Sequence, residues 1–197
     1  EANAMVAKIQ TQSSTAALGP WKNETMFIAD DGDNNLHQTQ ANTLAGLTEE
    51  NSKFFNISKN YLDFYTPAET SDGCRIPEVT TEINEKMNKG VFYVNFNGHG
   101  GSTALTFEKV LTVPELSAWG NIAKNPLWVI ASGEVAKYDN PDLVSLGEEI
   151  LLQQNAGAIS VISSSNLQFA SVNMMMNYEI LEKFTDENLQ ESLRYGD

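Results

Sequence analysis

A chain of 197 residues with 41% hydrophobic and 19% charged residues has enough apolar surface for one sizeable core, or two small ones at most. Its formal net charge of −14 argues against nucleic acid and anionic membrane surfaces as partners, because both need basic patches. No apolar run reaches the roughly 18 residues of a membrane span, and a single cysteine, Cys74, excludes an intrachain disulfide framework.

In chain order, Met5-Val6-Ala7-Lys8-Ile9 reads as a short helix and passes into a Ser/Thr-rich linker, which sets residues 1–20 apart from a main domain over residues 21–197. Trp21 leads into a strand over residues 25–29, followed by the acidic loop Asp30-Asp31-Gly32-Asp33. A helix is expected over residues 34–45, capped by one of those aspartates, stopped near Gly46 and carrying His37 on its surface. A second strand falls within residues 57–65, and residues 67–77 read as loop, with Cys74 in it. Val79, Ile83 and Met87 recur at i, i+4 and i+8, so residues 78–88 form an amphipathic helix that Gly90 closes. A loop through Phe107, a short helix over residues 114–119, a strand over 127–131, a helix over 142–154, a strand over 158–162 and a helix over 172–184 complete the pattern. Trp21, Trp119, Trp128 and part of the Met174-Met175-Met176 run read as core. The two ends, Glu1-Ala2-Asn3-Ala4-Met5 and Leu193-Arg194-Tyr195-Gly196-Asp197, do not resemble natural termini, so the sequence is expected to be a fragment of something longer.

The most informative stretch is Val91-Phe92-Tyr93-Val94-Asn95-Phe96-Asn97-Gly98-His99-Gly100-Gly101. It begins as a buried strand and ends in glycines that flank a histidine, an arrangement suited to a general base beside bare backbone N–H groups. Apolar strands separated by amphipathic helices imply a parallel sheet covered on both faces. In such sheets ligands sit beyond the carboxyl ends of the strands. Three polar strand exits, residues 30–33, 98–101 and 132–134, should therefore meet on one rim.

Several stretches taken together resemble a known family in order and spacing over almost the whole chain. They are Gly19-Pro20-Trp21-Lys22-Asn23, Phe27-Ile28-Ala29-Asp30-Asp31-Gly32-Asp33-Asn34-Asn35-Leu36-His37, and Val94-Asn95-Phe96-Asn97-Gly98-His99-Gly100-Gly101. Later come Glu134 with Tyr138-Asp139-Asn140-Pro141, Ser145-Leu146-Gly147-Glu148, and Ala156-Gly157-Ala158-Ile159-Ser160. The set is similar to the gingipain-type cysteine peptidases, and within them to the branch that serves as the sortase of type IX secretion. The resemblance implies a caspase-like three-layer α/β domain with a mostly parallel sheet, and a Cys–His dyad acting on peptide bonds of secreted proteins at the bacterial surface. It implies a polypeptide substrate or secreted cargo, further domains in the parent protein, and no cofactor. His99 matches the general base. The N–H groups of Gly100 and of position 133 match the oxyanion site. Asp31 falls where the family orients the histidine, with Asp30 as the open alternative. Glu134 and Phe169 fall at substrate-binding positions.

The departure lies at Gly133, where the family's nucleophilic cysteine should directly precede Glu134. Glycine offers no nucleophile, so covalent catalysis by the family route is unavailable to this chain. Ser132, the nearest hydroxyl, points to the other side of an extended strand, and Cys74 lies in the wrong loop. Two readings stay open: a peptidase or sortase subdomain lacking its nucleophile, and a naturally inactive homologue that binds cargo or a partner without cutting. The Asp31-Gly32-Asp33-Asn34-Asn35 loop fails the EF-hand pattern, since the sixth and twelfth positions are Leu36 and Asn42. An irregular calcium site there stays open. Two histidines without a Cys/His cluster argue against zinc.

Overall fold

The structure is a computed structural model that describes residues 1–185; residues 186–197, the expected end of the main domain, lie outside the described residues. In chain order the elements are α1 (Ala2–Gln12), β1 (Glu24–Ala29), α2 (Gly32–Asn51), β2 (Asn56–Tyr61), β3 (Ala68–Thr70), β4 (Gly73–Arg75), α3 (Pro77–Lys89), β5 (Tyr93–Asn97), β6 (Ala104–Leu105), β7 (Leu111–Thr112), β8 (Leu127–Ala131), α4 (Leu146–Leu152), β9 (Ser160–Ser163) and α5 (Ala170–Thr185). The five long strands form one sheet in the order β2-β1-β5-β8-β9, and every pairing is parallel. Parallel pairing needs a crossover for each step, and helices that return over both faces supply the cover that such a sheet requires.

Alternation along the strands divides the core in two. Met26, Ile28, Val94, Phe96, Trp128 and Ile130 face α3 and α4, where Val79, Ile83, Met87, Leu146 and Ile150 meet them. Phe27, Ala29, Tyr93, Leu127 and Val129 face the other way, against Ala41, Leu44 and Ala45 of α2 and Leu181 of α5. Three layers result. The strand order reverses between β1 and β5, whose crossovers leave on opposite faces, and the crevice beyond that switch point is where such folds bind ligands. No helix among the described residues is long and apolar enough to cross a membrane.

Several local expectations are revised. Helix α2 runs through Gly46 to Asn51, because Leu44, Ala45 and Thr48 continue its buried stripe and packing outweighs the ~1 kcal/mol cost of a helical glycine. Its first turn is irregular: Asp33, Asn34 and Asn35 have φ of 57°, 53° and 64°, a left-handed run that Asp and Asn tolerate better than other non-glycine residues. No aspartate side chain caps it; Asp31 sits at the N-cap without a side-chain bond. Residues 68–75, expected as loop, make the β3–β4 hairpin, with Glu69 paired to Cys74. Helix α4 starts only at Leu146, since Ser145 and Glu148 form a reciprocal capping box there, leaving Leu143 outside the helix. Trp21, Trp119 and Trp128 are buried, whereas of the methionine run Met174 packs on the core and Met175 is exposed.

One buried polar network lies on the α2/α5 side of the sheet. Asn97 donates to Asn95 Oδ1 at 2.5 Å; Asn95 donates to Tyr93 OH at 3.0 Å and to Asn177 Oδ1 at 3.2 Å; Asn177 of α5 donates to Asn97 Oδ1 at 3.2 Å. It ties α5 to the end of β5, immediately before Gly98. Replacing Asn177 with Leu would strand amide groups of both strand asparagines away from water. Chemical denaturation of Asn177→Leu should show a loss of about 2–4 kcal/mol; a loss under about 0.5 kcal/mol would show that the network is dispensable.

Candidate active site

The site is assembled at the carboxyl ends of β1, β5 and β8. Asn97 and Ala131 are register partners, so His99 and Gly133 each lie two residues beyond the same rung, and the Gly98 N–H still reaches Ala131 O at 3.4 Å. Both line one cleft of about 170 Å³ with Asp33, His37, Gly98, Gly100, Ser132 and Leu167. The three strand exits singled out in the sequence therefore meet on one rim.

His99 is held by Asp30, not Asp31. Asp30 Oδ2 accepts from the His99 backbone N–H at 2.9 Å and lies 2.6 Å from its ring Nδ1. Asp30 is buried, at 3% exposure, so this charge-assisted pair sits where water competes little. Its bond to Nδ1 orients the ring and leaves Nε2 directed into the cleft. Asp31 cannot share the task, since successive residues at a strand end turn to opposite sides. Its pKa is raised instead, by burial and by the charges of Glu108 and Asp30.

Gly98 allows the pairing by what it lacks. A Cβ there would fall 2.3 Å from the Asp30 Cβ and 2.9 Å from the Phe96 ring. Gly100 is required in the same way, because a Cβ would meet Val135 at 2.8 Å and Ser132 Oγ at 2.9 Å. Gly101 has open space. The His99 carbonyl accepts from Thr106 and the Gly101 N–H donates to Ala104, while the Gly100 and Gly133 N–H groups have no partner among the described residues.

His37, expected on the helix surface, is buried instead. Its ring meets that of His99 edge-on, 4.9 Å between centroids, and burial together with the neighbouring His99 pushes its pKa down. The left-handed turn brings Asp33 between them, with Oδ2 3.5 Å from His99 Nε2 and 3.5 Å from His37 Nε2. Sequence reading put Asp33 on the rim but left His37 on the helix surface, although their i, i+4 spacing was a usable signal.

The remaining positions fall as follows. Ser132 is buried under Gly100 and its Oγ has no hydrogen-bond partner, so nothing activates it. Glu134 has φ 61° and pairs with Lys137; Phe169 is 80% exposed between the cleft-lining Gln168 and Ala170. Neither lines the cleft itself. Cys74 lies outside it on β4, its thiol pKa raised by desolvation and by Glu69, Glu108 and Asp31, the opposite of what an attacking thiol needs.

Gly98→Ala should cost about 1–3 kcal/mol by overpacking, and should move the His99 ring signals in NMR spectra as the Asp30 bond breaks. Gly101→Ala should change stability by no more than about 0.5 kcal/mol. Equal effects from the two substitutions would contradict this account of Gly98.

Among solved structures, the chain is similar to the Arg-specific cysteine proteinase gingipain R (RGPB), with a TM-score of 0.71 and 18% identity over 92% of this chain and 42% of that one. In a complex of Porphyromonas gingivalis RgpB pro- and mature domains the values are 0.72 and 17%, over 94% and 43%. At these identities the likeness is one of fold, the caspase-like α/β arrangement, and the chain spans less than half the length of those proteins. No curated protein sequence gives a significant match. The sequence model described as peptidase family C25 matches residues 1–197, so the chain belongs to the C25 family, the gingipain family of cysteine peptidases.

Proposed function

We propose that this chain is the caspase-like domain of a protein of the type IX sortase branch, and that it holds an extended segment of a secreted polypeptide at the bacterial surface without cleaving it. The observation that carries the reading is the pairing of His99 and Gly133 in one cleft, with a base present and no thiol for it to act on. In a cysteine peptidase the imidazole takes the thiol proton, the thiolate attacks the carbonyl carbon, and backbone N–H groups hold the oxyanion. Here the unpartnered N–H groups of Gly100 and Gly133 could still donate to a peptide carbonyl. Nothing follows with a nucleophile, so the carbonyl stays planar and the bond intact.

The surroundings of position 133 are close-packed. A Cβ there would lie 3.0 Å from Leu167 Cα and 3.3 Å from Leu167 Cδ2, so the 166–167 loop rests where a side chain would begin. Leu167 and Phe169 are 81% and 80% exposed, an apolar edge suited to a bound segment's side chain. Binding is thus served by groups that survive the substitution, and turnover alone is removed.

In a Cys74→Ser background, the chain with Gly133 intact should bind extended peptides and give no cleavage products on prolonged incubation. Adding Gly133→Cys should create a site that a peptidyl electrophile labels once per chain, and His99→Ala should slow that labelling by about 100-fold or more, the typical contribution of a general base. Peptide cleavage by the unaltered chain that disappears with His99→Ala would overturn the non-cleaving reading.

A further inference from the structure

A cluster of carboxylates beside the cleft takes no part in holding a peptide. Asp30, Asp31 and Glu108 each present one carboxylate oxygen, and these three atoms lie within 4.8 Å of one another. Asp30 and Glu108 are both buried, Glu108 at 7% exposure. Glu108 Oε2 is shielded from water and has no hydrogen-bond partner. The turn that carries it exposes the apolar neighbour instead, with Phe107 at 79% exposure. Burying a carboxylate while the adjacent phenyl ring stays in water runs against both transfer preferences unless something compensates the charge. No lysine or arginine does so, since the ion pairs these side chains make among the described residues go to Glu115, Glu24, Glu85 and Glu134. The charges acting on Asp31 are those of Glu108, Asp30 and Asp63, all of them negative. His99 bonds only Asp30, and only at Oδ2; Oδ1 accepts no hydrogen bond among the described residues.

We infer that Asp30, Asp31 and Glu108 form a Ca²⁺ site, with an oxygen of each carboxylate as a ligand and Asp30 shared between the ion and His99. A carboxylate has two oxygens and about four lone-pair sites, so the bonds to His99 leave Asp30 able to ligate. Calcium is the hard cation that an all-oxygen set suits. It holds its ligands at about 2.3–2.6 Å, so two of them can stand up to about 4.6–5.2 Å apart across the ion. The cluster falls within that span as it stands. Mg²⁺ demands closer, near-octahedral ligands and gives up its waters reluctantly, so Ca²⁺ is the preferred ion. Asp31 stands at the solvent edge of the group, which gives the ion a way in. Backbone bonds bring Glu108 to the other two. The Thr106 N–H donates to His99 O at 2.9 Å and the Val110 N–H to Leu105 O at 3.1 Å, so the 106–109 turn folds back on the strand exit that carries His99. This is not the Asp31–Asn35 loop acting as a calcium motif, because Asp33 turns to the histidine rings and the third carboxylate comes from far along the chain. The inference goes beyond the peptide-holding reading and does not depend on it.

The test uses Ca²⁺ alone, titrated calorimetrically into the full chain after treatment with a chelator, with no peptide present. One ion should bind per chain. Affinity should fall about tenfold or more in both Glu108→Gln and Asp31→Asn, since calcium affinity follows the charge of the ligands. Asp33→Asn, in the same acidic loop but outside the cluster, should keep the affinity of the unaltered chain. Saturating Ca²⁺ should also raise the melting temperature of the unaltered chain, and that rise should vanish in Glu108→Gln. Asp31 lies at the surface, so its variant keeps the test meaningful if Glu108→Gln fails to fold. Absence of saturable binding, which would mean that the carboxylates share protons instead, unchanged affinity in Asp31→Asn, or a loss of affinity confined to Asp33→Asn would overturn the assignment.

Discussion

The Asp30–His99 pair is the constraint on which the rest of the site depends. One buried carboxylate oxygen accepts from both the backbone and the ring of the same histidine, so position and orientation are set together. Such an arrangement is possible only where two adjacent parallel strands end on the same rung and the residue between them has no side chain. β1 and β5 meet that condition, since Ala29 is the register partner of Asn97, Asp30 follows the first and Gly98 the second. The Asp30 N–H also donates to Asn97 O, which continues the sheet ladder one step into the site. The site is therefore an extension of the sheet rather than a loop laid over it.

Rigidity below the site comes from two sources. The apolar faces of β1, β5 and β8 are filled on both sides, which holds the strand ends in relative place. The asparagine network adds direction: amides at 95, 97 and 177 bond one another within the layer between the sheet and α2/α5. A satisfied network of this kind favours one arrangement over neighbouring ones, because a slipped strand or rotated helix would leave buried amides unpaired. It places α5, and through it the 166–170 segment that borders the cleft, in a defined relation to His99.

Within that frame position 133 is a glycine that shares the cleft with His99. Glycine there offers a backbone N–H and no side-chain nucleophile. The neighbouring His99 has a second imidazole and a carboxylate within reach. A fixed tautomer and a fixed ring plane are what a general base needs of an imidazole, and the Asp30 bond supplies both to His99.

The layered α/β class, most of the elements and the rim on which the three polar exits meet were legible in the residues, because uniform apolar runs and a 3.6-residue periodicity are local properties that packing then obeys. Helix ends were less legible: Gly46 reads as a stop, yet burial of Thr48 carries α2 past it, and the capping box at Ser145 delays α4. Which aspartate grips His99 was visible only in the fold, because adjacent residues at a strand end face opposite ways and composition cannot say which faces in. The fold alone decided the place of His37, whose side chain becomes buried through a left-handed turn at residues 33–35 and contact with a strand that lies far along the chain. Such choices depend on register and on through-space distances, which no stretch of sequence encodes locally.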